Sequence, residues 1–220
     1  MQFGATAPTY DGDHACCLLR SPVRRAAGAP PASLITPVGH DDVDDVVRAH
    51  IAQQHVAYAH IADGGHARAL WSSFDRRVAQ MHDEVDAAAA ATASGGEPDV
   101  VHLVARGERG AVVGVAAAFR GVGQWERELF GETWERPGPA WCLDTLYVMP
   151  GVRGSGLGLR LMDVALPHRR AAYLWVISDN VGAIRFYERN GFHPDGFAGR
   201  SGPSWGDMDM LRMVRPEPAA

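Results

Sequence analysis

Apolar residues recur at helical spacing early in the chain, where Val43, Val46, Val47 and Ile51 would share one side of a helix. Asp41, Asp42, Asp44 and Asp45 crowd its first turn, where negative charge complements the positive end of the helix dipole. A second helix is predicted after Gly64-Gly65, with the stripe Leu70, Phe74, Val78, Met81 and Val85 fading into the alanine run 87–91. Ahead of both, Leu34-Ile35 reads as a short strand ended by Thr36-Pro37. The period then shortens. Residues 100–106 and 111–120 read as a hairpin around the turn 107–110. Residues 121–140 are predicted to be a long loop holding Trp125, Phe130, Trp134 and four acids, Glu126, Glu128, Glu132 and Glu135. After it, strands at 141–149, 172–178, 192–197 and 208–215 alternate with helices at 157–168 and 180–190. The first of these helices would turn Leu157, Leu161 and Val164 inward. The pattern is that of a mixed α/β domain, with no internal repeat.

Residues 1–34 carry Gly4, Pro8, Gly12, Pro22, Gly28, Pro30 and Pro31 without any sustained periodicity, so they read as an irregular extension. The single folded domain is expected over 35–216. Its 21 basic and 26 acidic residues give a net charge of −5, which offers no electrostatic footprint for nucleic acid. Every basic residue is arginine, which removes P-loop, Schiff-base and pyridoxal-phosphate lysines from consideration. The three cysteines are the adjacent Cys16 and Cys17 and the distant Cys142, so no disulfide framework is expected. No apolar run approaches the ~18 residues of a membrane span, and Asp11, Asp13 and His14 interrupt any secretory apolar centre. A cytoplasmic location is the expectation.

The richest stretch in chemical information joins strand 141–149 to the helix after it: Pro150-Gly151-Val152-Arg153-Gly154-Ser155-Gly156-Leu157-Gly158. Glycines let a backbone approach an anion closely, and a helix start adds free amide donors and a positive dipole end. The physical reading is a pyrophosphate cradle. It is not a P-loop, because Leu159 and Arg160 stand where Lys-Ser/Thr is required. Nor is it a Rossmann fingerprint, because Leu159 occupies the last glycine position. What fits is Arg-x-x-Gly-x-Gly, carried by Arg153, Gly156 and Gly158 after Val148 and Pro150. About twenty residues on lies Asn180-x-x-Ala183-x-x-Phe186-Tyr187-x-x-x-Gly191-Phe192. With these two motifs in this order around one strand, the sequence resembles the GNAT superfamily of acyl-CoA-dependent N-acyltransferases.

The resemblance implies a mixed, mostly antiparallel sheet that splays open between two parallel strands, here 141–149 and 172–178, with helices on both sides. It implies acetyl-CoA as co-substrate, with the backbone of Leu146, Tyr147 and Val148 pairing with the pantetheine arm. Arg153, Gly154, Ser155, Gly156, Leu157 and Gly158 would take the pyrophosphate, and Asn180 would touch the cofactor arm. Tyr187 matches the family tyrosine that protonates the departing thiolate, a role open to a phenol beside a thiol of lower pKa; a tyrosine that only packs beside Phe186 is the alternative. For the base, the family places a carboxylate or histidine eleven or nine residues before the arginine position. Here those places hold Cys142 and Asp144. Asp144 is the candidate base, acting through water, and strand alternation would put it on the same face as Cys142. A merely solvated strand acid is the alternative. Cys142 as an acyl-carrying nucleophile is a minority variant.

The acceptor pocket implied by the resemblance would use His55, Tyr58 and His60 with the Trp125/Trp134 loop, whose aromatic walls and acids suit a cationic or amphiphilic amine. His50, His55 and His60 step by about 140° around a helix and share no face, so no metal is expected. The function implied is acetyl transfer to a small-molecule amine. A protein N-terminal or lysine acetyltransferase and a non-catalytic acyl-CoA sensor are the alternatives. A homodimer is left open as a partner; nucleic acid and membrane are not expected.

Overall fold

A computed structural model of the chain describes residues 33–59, 64–131, 134–202 and 205–218. Residues 1–32 with Cys16 and Cys17, and also His60 and Glu132, lie outside the described residues. Seven strands form one sheet: β1 (Leu34–Pro37), β2 (Val100–Arg106), β3 (Val112–Arg120), β4 (Trp141–Val148), β5 (Ala172–Ile177), β6 (His193–Arg200) and β7 (Asp209–Arg215). They lie in the order β1-β2-β3-β4-β5-β7-β6. All neighbours are antiparallel except β4 and β5. That parallel pair is joined only at its start, Trp141 beside Ala172 and Cys142 beside Tyr173, after which the two strands part. The sheet is therefore open between them, as the sequence motifs implied.

Helices cover both faces. On one side lie α5 (Leu157–Ala165), on the crossover from β4 to its parallel neighbour β5, and α6 (Val181–Arg189), between β5 and β6. Leu157, Leu161, Met162 and Ala165 of α5 join Leu143, Leu174, Phe192 and Met213 in the larger core. Val164 does not: it is half exposed. The buried residues 157, 161, 165 and 162 cover an arc of about 140°, and 164 falls about 20° outside its Leu157 edge. The other face is covered by α1 (Val43–Tyr58), α2 (Gly64–Ser72) and α3 (Phe74–Ala93). Val43, Val46, Val47 and Ile51 are fully buried there with Leu70, Val104 and Val115. One expected helix is thus two, broken where the Ser73 hydroxyl donates to the Leu70 carbonyl.

The segment 121–140 is also not a plain loop. It contains α4 (Gln124–Phe130), whose entry is closed by the Gly123 N–H donating to Glu126 at 2.6 Å. None of the helices among the described residues is long and apolar enough to cross a membrane.

Candidate active site

The glycine-rich turn begins as a single helical turn, Pro150–Val152, and ends in α5. Gly154 and Gly156 have φ of +79° and +82°, a region closed to most side chains. A Cβ placed on either would meet only open space, so the backbone is bare on that side. The first intrahelical bond runs from the Arg160 N–H to the Gly156 carbonyl, which leaves the N–H groups of Leu157, Gly158 and Leu159 without intrahelical acceptors. Ser155 Oγ lies a long 3.4 Å from the Leu157 N–H. Arg153 turns back, its Nε donating to the Val148 carbonyl at 3.1 Å. Gly158 faces Phe186 and Val148 at ordinary contact distance. Bare backbone, free amides and a helix start fit a pyrophosphate well.

Leu146, Tyr147 and Val148 pair with Ala116, Val115 and Gly114 on one side. Their other edge looks into the opening left by β5. The backbone groups there are a strand edge with no strand beside it, able to bond an extended amide-bearing ligand. Asn180 caps α6: its side-chain oxygen accepts from the Ala183 N–H, leaving its amide nitrogen as the group free to donate elsewhere.

Tyr187 packs its ring between Phe186 and Phe192. Its hydroxyl reaches the opening, where it feels Tyr58 and Cys142 from the far side of the sheet. Burial pushes its phenol above the ordinary tyrosine range, so it holds its proton throughout physiological pH. Tyr147, also pushed up by burial, contacts Tyr58 and Gln54. Tyr58, a helix residue picked for the acceptor pocket, is buried in this group.

Asp144 departs from the alternation expected of a strand. Ala117 pairs with Thr145, but Ala118 pairs with Leu143, so Asp144 is the extra residue of a β-bulge. The bulge interrupts the simple count in twos at Asp144 itself, and the Asp144 charge still acts on the Cys142 thiol. Asp144 is open to solvent, with protein packed close around it. Desolvation raises its pKa above the usual carboxylate range, opposed by the Thr145 hydroxyl, which donates at 3.0 Å. His102 and Arg77 draw it down and Glu84 pushes it up, but His102 and Glu84 are bonded to each other at 2.6 Å. His50, beside the Tyr147 ring, is lowered to about 3 by burial and then by Arg77 and His102, and stays neutral.

Cys142 is 1% exposed, and burial pushes its thiol well above the ordinary range. A thiol so held is a poor nucleophile, which argues against the acyl-carrying variant. Glu126 was missed by reading 121–140 as a loop with solvated acids. It is 0% exposed, accepting from the Tyr173 hydroxyl at 2.9 Å, the Trp175 indole at 2.7 Å and the Gly123 N–H. Burial raises its pKa, and it lies near enough to Asp144 to be influenced by it. Only a buried acid before a strand tryptophan and tyrosine could have hinted at this, and no spacing rule encodes it.

The aromatic walls also have another use. Trp134, Trp175 and Phe197 surround the guanidinium of Arg212 at 5.4, 5.9 and 4.7 Å. Arg212 also donates to Asp195 and to the Glu135 carbonyl, both at 2.6 Å. Trp134 thus already holds a cation of the chain itself, and Trp125 packs edge-on against Trp175. A shallow cavity of about 470 Å³ lies at the closed end of the β4/β5 pair, beside Trp141 and Arg170, away from these groups. No cluster of His, Cys, Asp or Glu among the described residues could hold a metal ion.

A sheet split between two parallel strands, with a bare glycine turn at the split, defines a coenzyme A-type fold class. Residues 67–192 match the model of the acetyltransferase (GNAT) family, and the chain belongs to that family. It is 39% identical over 87 residues to a mycothiol acetyltransferase of Streptomyces scabiei (strain 87.22), covering 36% of this chain and 27% of that protein. The chain thus matches only about a quarter of that relative's length. Among solved structures it is similar to the PaiA N-acetyltransferase of Thermoplasma acidophilum in complex with coenzyme A. The TM-score is 0.58 at 13% identity, covering 85% of this chain and 99% of that one. A histone acetyltransferase HPA2-related protein of Corynebacterium glutamicum ATCC 13032 gives 0.55 at 21% identity, covering 86% and 98%. At these identities the two structures speak for the fold.

Proposed function

We propose that the chain transfers an acetyl group from acetyl-CoA to the primary amine of a small molecule, by direct attack within a ternary complex. The observation that carries this is the parting of β4 from β5 after Cys142, with the bare glycine turn following β4 and Tyr187 packed between Phe186 and Phe192 on the helix after β5. When bound, acetyl-CoA supplies the activated acyl group and a thiolate leaving group. The amides at Gly154–Gly158 would hold its pyrophosphate, and the free edge of Leu146–Val148 its amide-bearing arm. Asp144, its basicity raised by burial, takes the proton from the incoming ammonium through water, which frees the nitrogen lone pair. The new C–N bond forms as the C–S bond breaks. Tyr187 gives its proton to the departing sulfur and regains one from solvent. Helix α4 is held against β5 by the Trp175 indole donating to Glu126, and a wall on that side would favour a small acceptor over an extended polypeptide.

The test is thiol release from acetyl-CoA across an amine panel, wild type against Tyr187→Phe. The substitution keeps the ring between Phe186 and Phe192 and removes the proton. Turnover is expected to fall by ~10²–10⁴ with CoA affinity nearly intact. CoA binding without turnover on any amine would instead favour a sensor. Near-normal turnover in Tyr187→Phe would return the tyrosine to packing.

A further inference from the structure

Tyr187, the proton donor proposed above, stands near the end of α6, and that end is gripped by two arginines from elsewhere in the fold. Arg169 lies in the turn Pro167–Arg169 between α5 and β5, where His168 and Arg169 take φ of +58° and +53°. Two successive non-glycine residues in the left-handed region are costly, and such strain persists only where the surroundings hold it. The turn delivers Arg169 Nη2 to the Asn190 carbonyl at 3.0 Å, on the residue that ends α6. A helix C-terminus has unpaired carbonyls and the negative end of the dipole, so a guanidinium suits the place.

Arg215, the last residue of β7, is the second. It is 3% exposed, yet its bonds go to two neutral acceptors, the Arg170 carbonyl at 3.1 Å and Met162 Sδ at 3.9 Å. Its Nε has no partner. A buried guanidinium so poorly paired is costly, and an apolar side chain of similar volume would cost less. The cation lies instead 4.7 Å over the Phe192 ring. A Cβ on Gly191, where φ is +87°, would meet Arg169 Nη2 at 3.3 Å and Arg215 Cδ at 3.6 Å. Both arginines therefore close on the same turn of chain.

Residues 190–192 link that turn to Tyr187. The N–H groups of Asn190 and Phe192 both donate to the Tyr187 carbonyl, at 2.9 and 3.1 Å. The Asn190 side-chain amide donates to the Phe186 carbonyl at 2.8 Å. The Phe192 ring, 2% exposed, meets the Tyr187 ring edge-on with centroids 5.8 Å apart. Contacts thus run unbroken from Arg215 through Phe192 to the Tyr187 ring, and from Arg169 through Asn190 to the Tyr187 backbone.

We infer that Arg215 is a positioning residue for acetyl transfer: its guanidinium fixes the Phe192 ring, and through it the Tyr187 phenol, in the place from which the departing thiolate is protonated. The inference rests on the donor role proposed for Tyr187. Arg169 steadies the backbone of the same turn. Misplacing a reacting group by about 1 Å can cost on the order of 10²-fold in rate, so a loosened ring is felt in kcat before it is felt in folding.

The experiment uses the full chain with saturating acetyl-CoA and the best amine of the panel. Arg215→Met keeps the packing volume and removes the cation. Its kcat is expected to fall on the order of 10-fold, with CoA affinity by calorimetry within about twofold and Tm unchanged or raised. Arg215→Lys, which retains a cation, should recover part of the loss. In a Tyr187→Phe background Arg215→Met should add no further loss, because the proton being positioned is already gone. An unchanged kcat for folded Arg215→Met overturns the inference, and so does a loss that persists in full in the Tyr187→Phe background. Phe192→Leu keeps both arginines and removes the ring between them and the phenol. Its kcat should fall by a similar factor, and an unchanged value overturns the inference even where Arg215→Met does not fold. Near-normal turnover in Tyr187→Phe alone sinks the donor role itself; a large defect there with none in Arg215→Met sinks only this inference.

Discussion

Two arginines on the α1–α4 side of the sheet are treated in opposite ways. Arg212 is 3% exposed, enclosed by three aromatic rings, bonded to Asp195 and capped by a backbone carbonyl. Arg77 is also largely desolvated, yet its bonds go only to a serine and a glutamine. Saturation marks a group that the fold needs for itself. A guanidinium held only by neutral oxygens keeps donors uncommitted. The same contrast separates Glu126, which has three donors, from Asp144, which has one. Composition cannot draw this line, since each pair carries the same functional group.

The comparison is broken most forcefully at Arg212. Arg212→Met leaves Asp195 as a shielded carboxylate without its cation, and removal of one partner of such a pair costs about 3–5 kcal/mol. At roughly 2–4 °C per kcal/mol for a domain of this size, melting should fall by roughly 6–20 °C. Calorimetry checks this, and an unchanged Tm would show that the box is not structural. Catalysis by the folded fraction should persist.

A smaller effect is expected at the glycine turn. Gly156→Val forces a β-branched residue to φ near +82°, at a cost of about 1–3 kcal/mol. The free protein has space for the side chain, so it should still fold. Isothermal titration should nevertheless show CoA binding weakened by an order of magnitude or more, since the valine occupies the bare side of the turn. Unchanged affinity would remove the cradle assignment.

The finest test concerns pH. Burial raises the Asp144 pKa, so as pH falls the base becomes protonated, and kcat/KM should drop at a higher pH than an ordinary carboxylate would set. Asp144→Asn should lower the rate most where the amine is still protonated, with recovery as pH approaches the amine's own pKa. A pH-independent deficit would make Asp144 a binding or structural acid. Stability carries the opposite sign. A carboxyl with raised folded pKa disfavours the fold more as pH rises from the unfolded to the folded value, so Asp144→Asn should abolish a small stability loss across that window. Asp42, lowered by its bond from Arg106, works the other way and loses its contribution as pH falls.

Much of this was legible along the chain. The valine stripe of α1, the β2–β3 hairpin, the glycine turn and α6 are short-range patterns, because helix period, turn conformation and strand length are set within a few residues. The cofactor side of the site was readable for the same reason: its amides and glycines are contiguous from Leu146 to Gly158. The misreadings arose where burial reversed a local preference. Residues 121–140, rich in glutamate and tryptophan, look like a solvated loop until Glu126 finds the indole and hydroxyl of β5.

By itself, then, the sequence determined the elements, their order and the backbone cradle, since these follow from hydrogen bonding and sterics between near neighbours. Tertiary structure alone decided which charges are satisfied. Asp144 becomes distinct only through a bulge registered against β3, and Arg77 only because it bonds neutral Ser73 and Gln54 with no acid among the described residues in reach. Desolvation and charge pairing depend on residues far apart in the chain, and no local pattern records them.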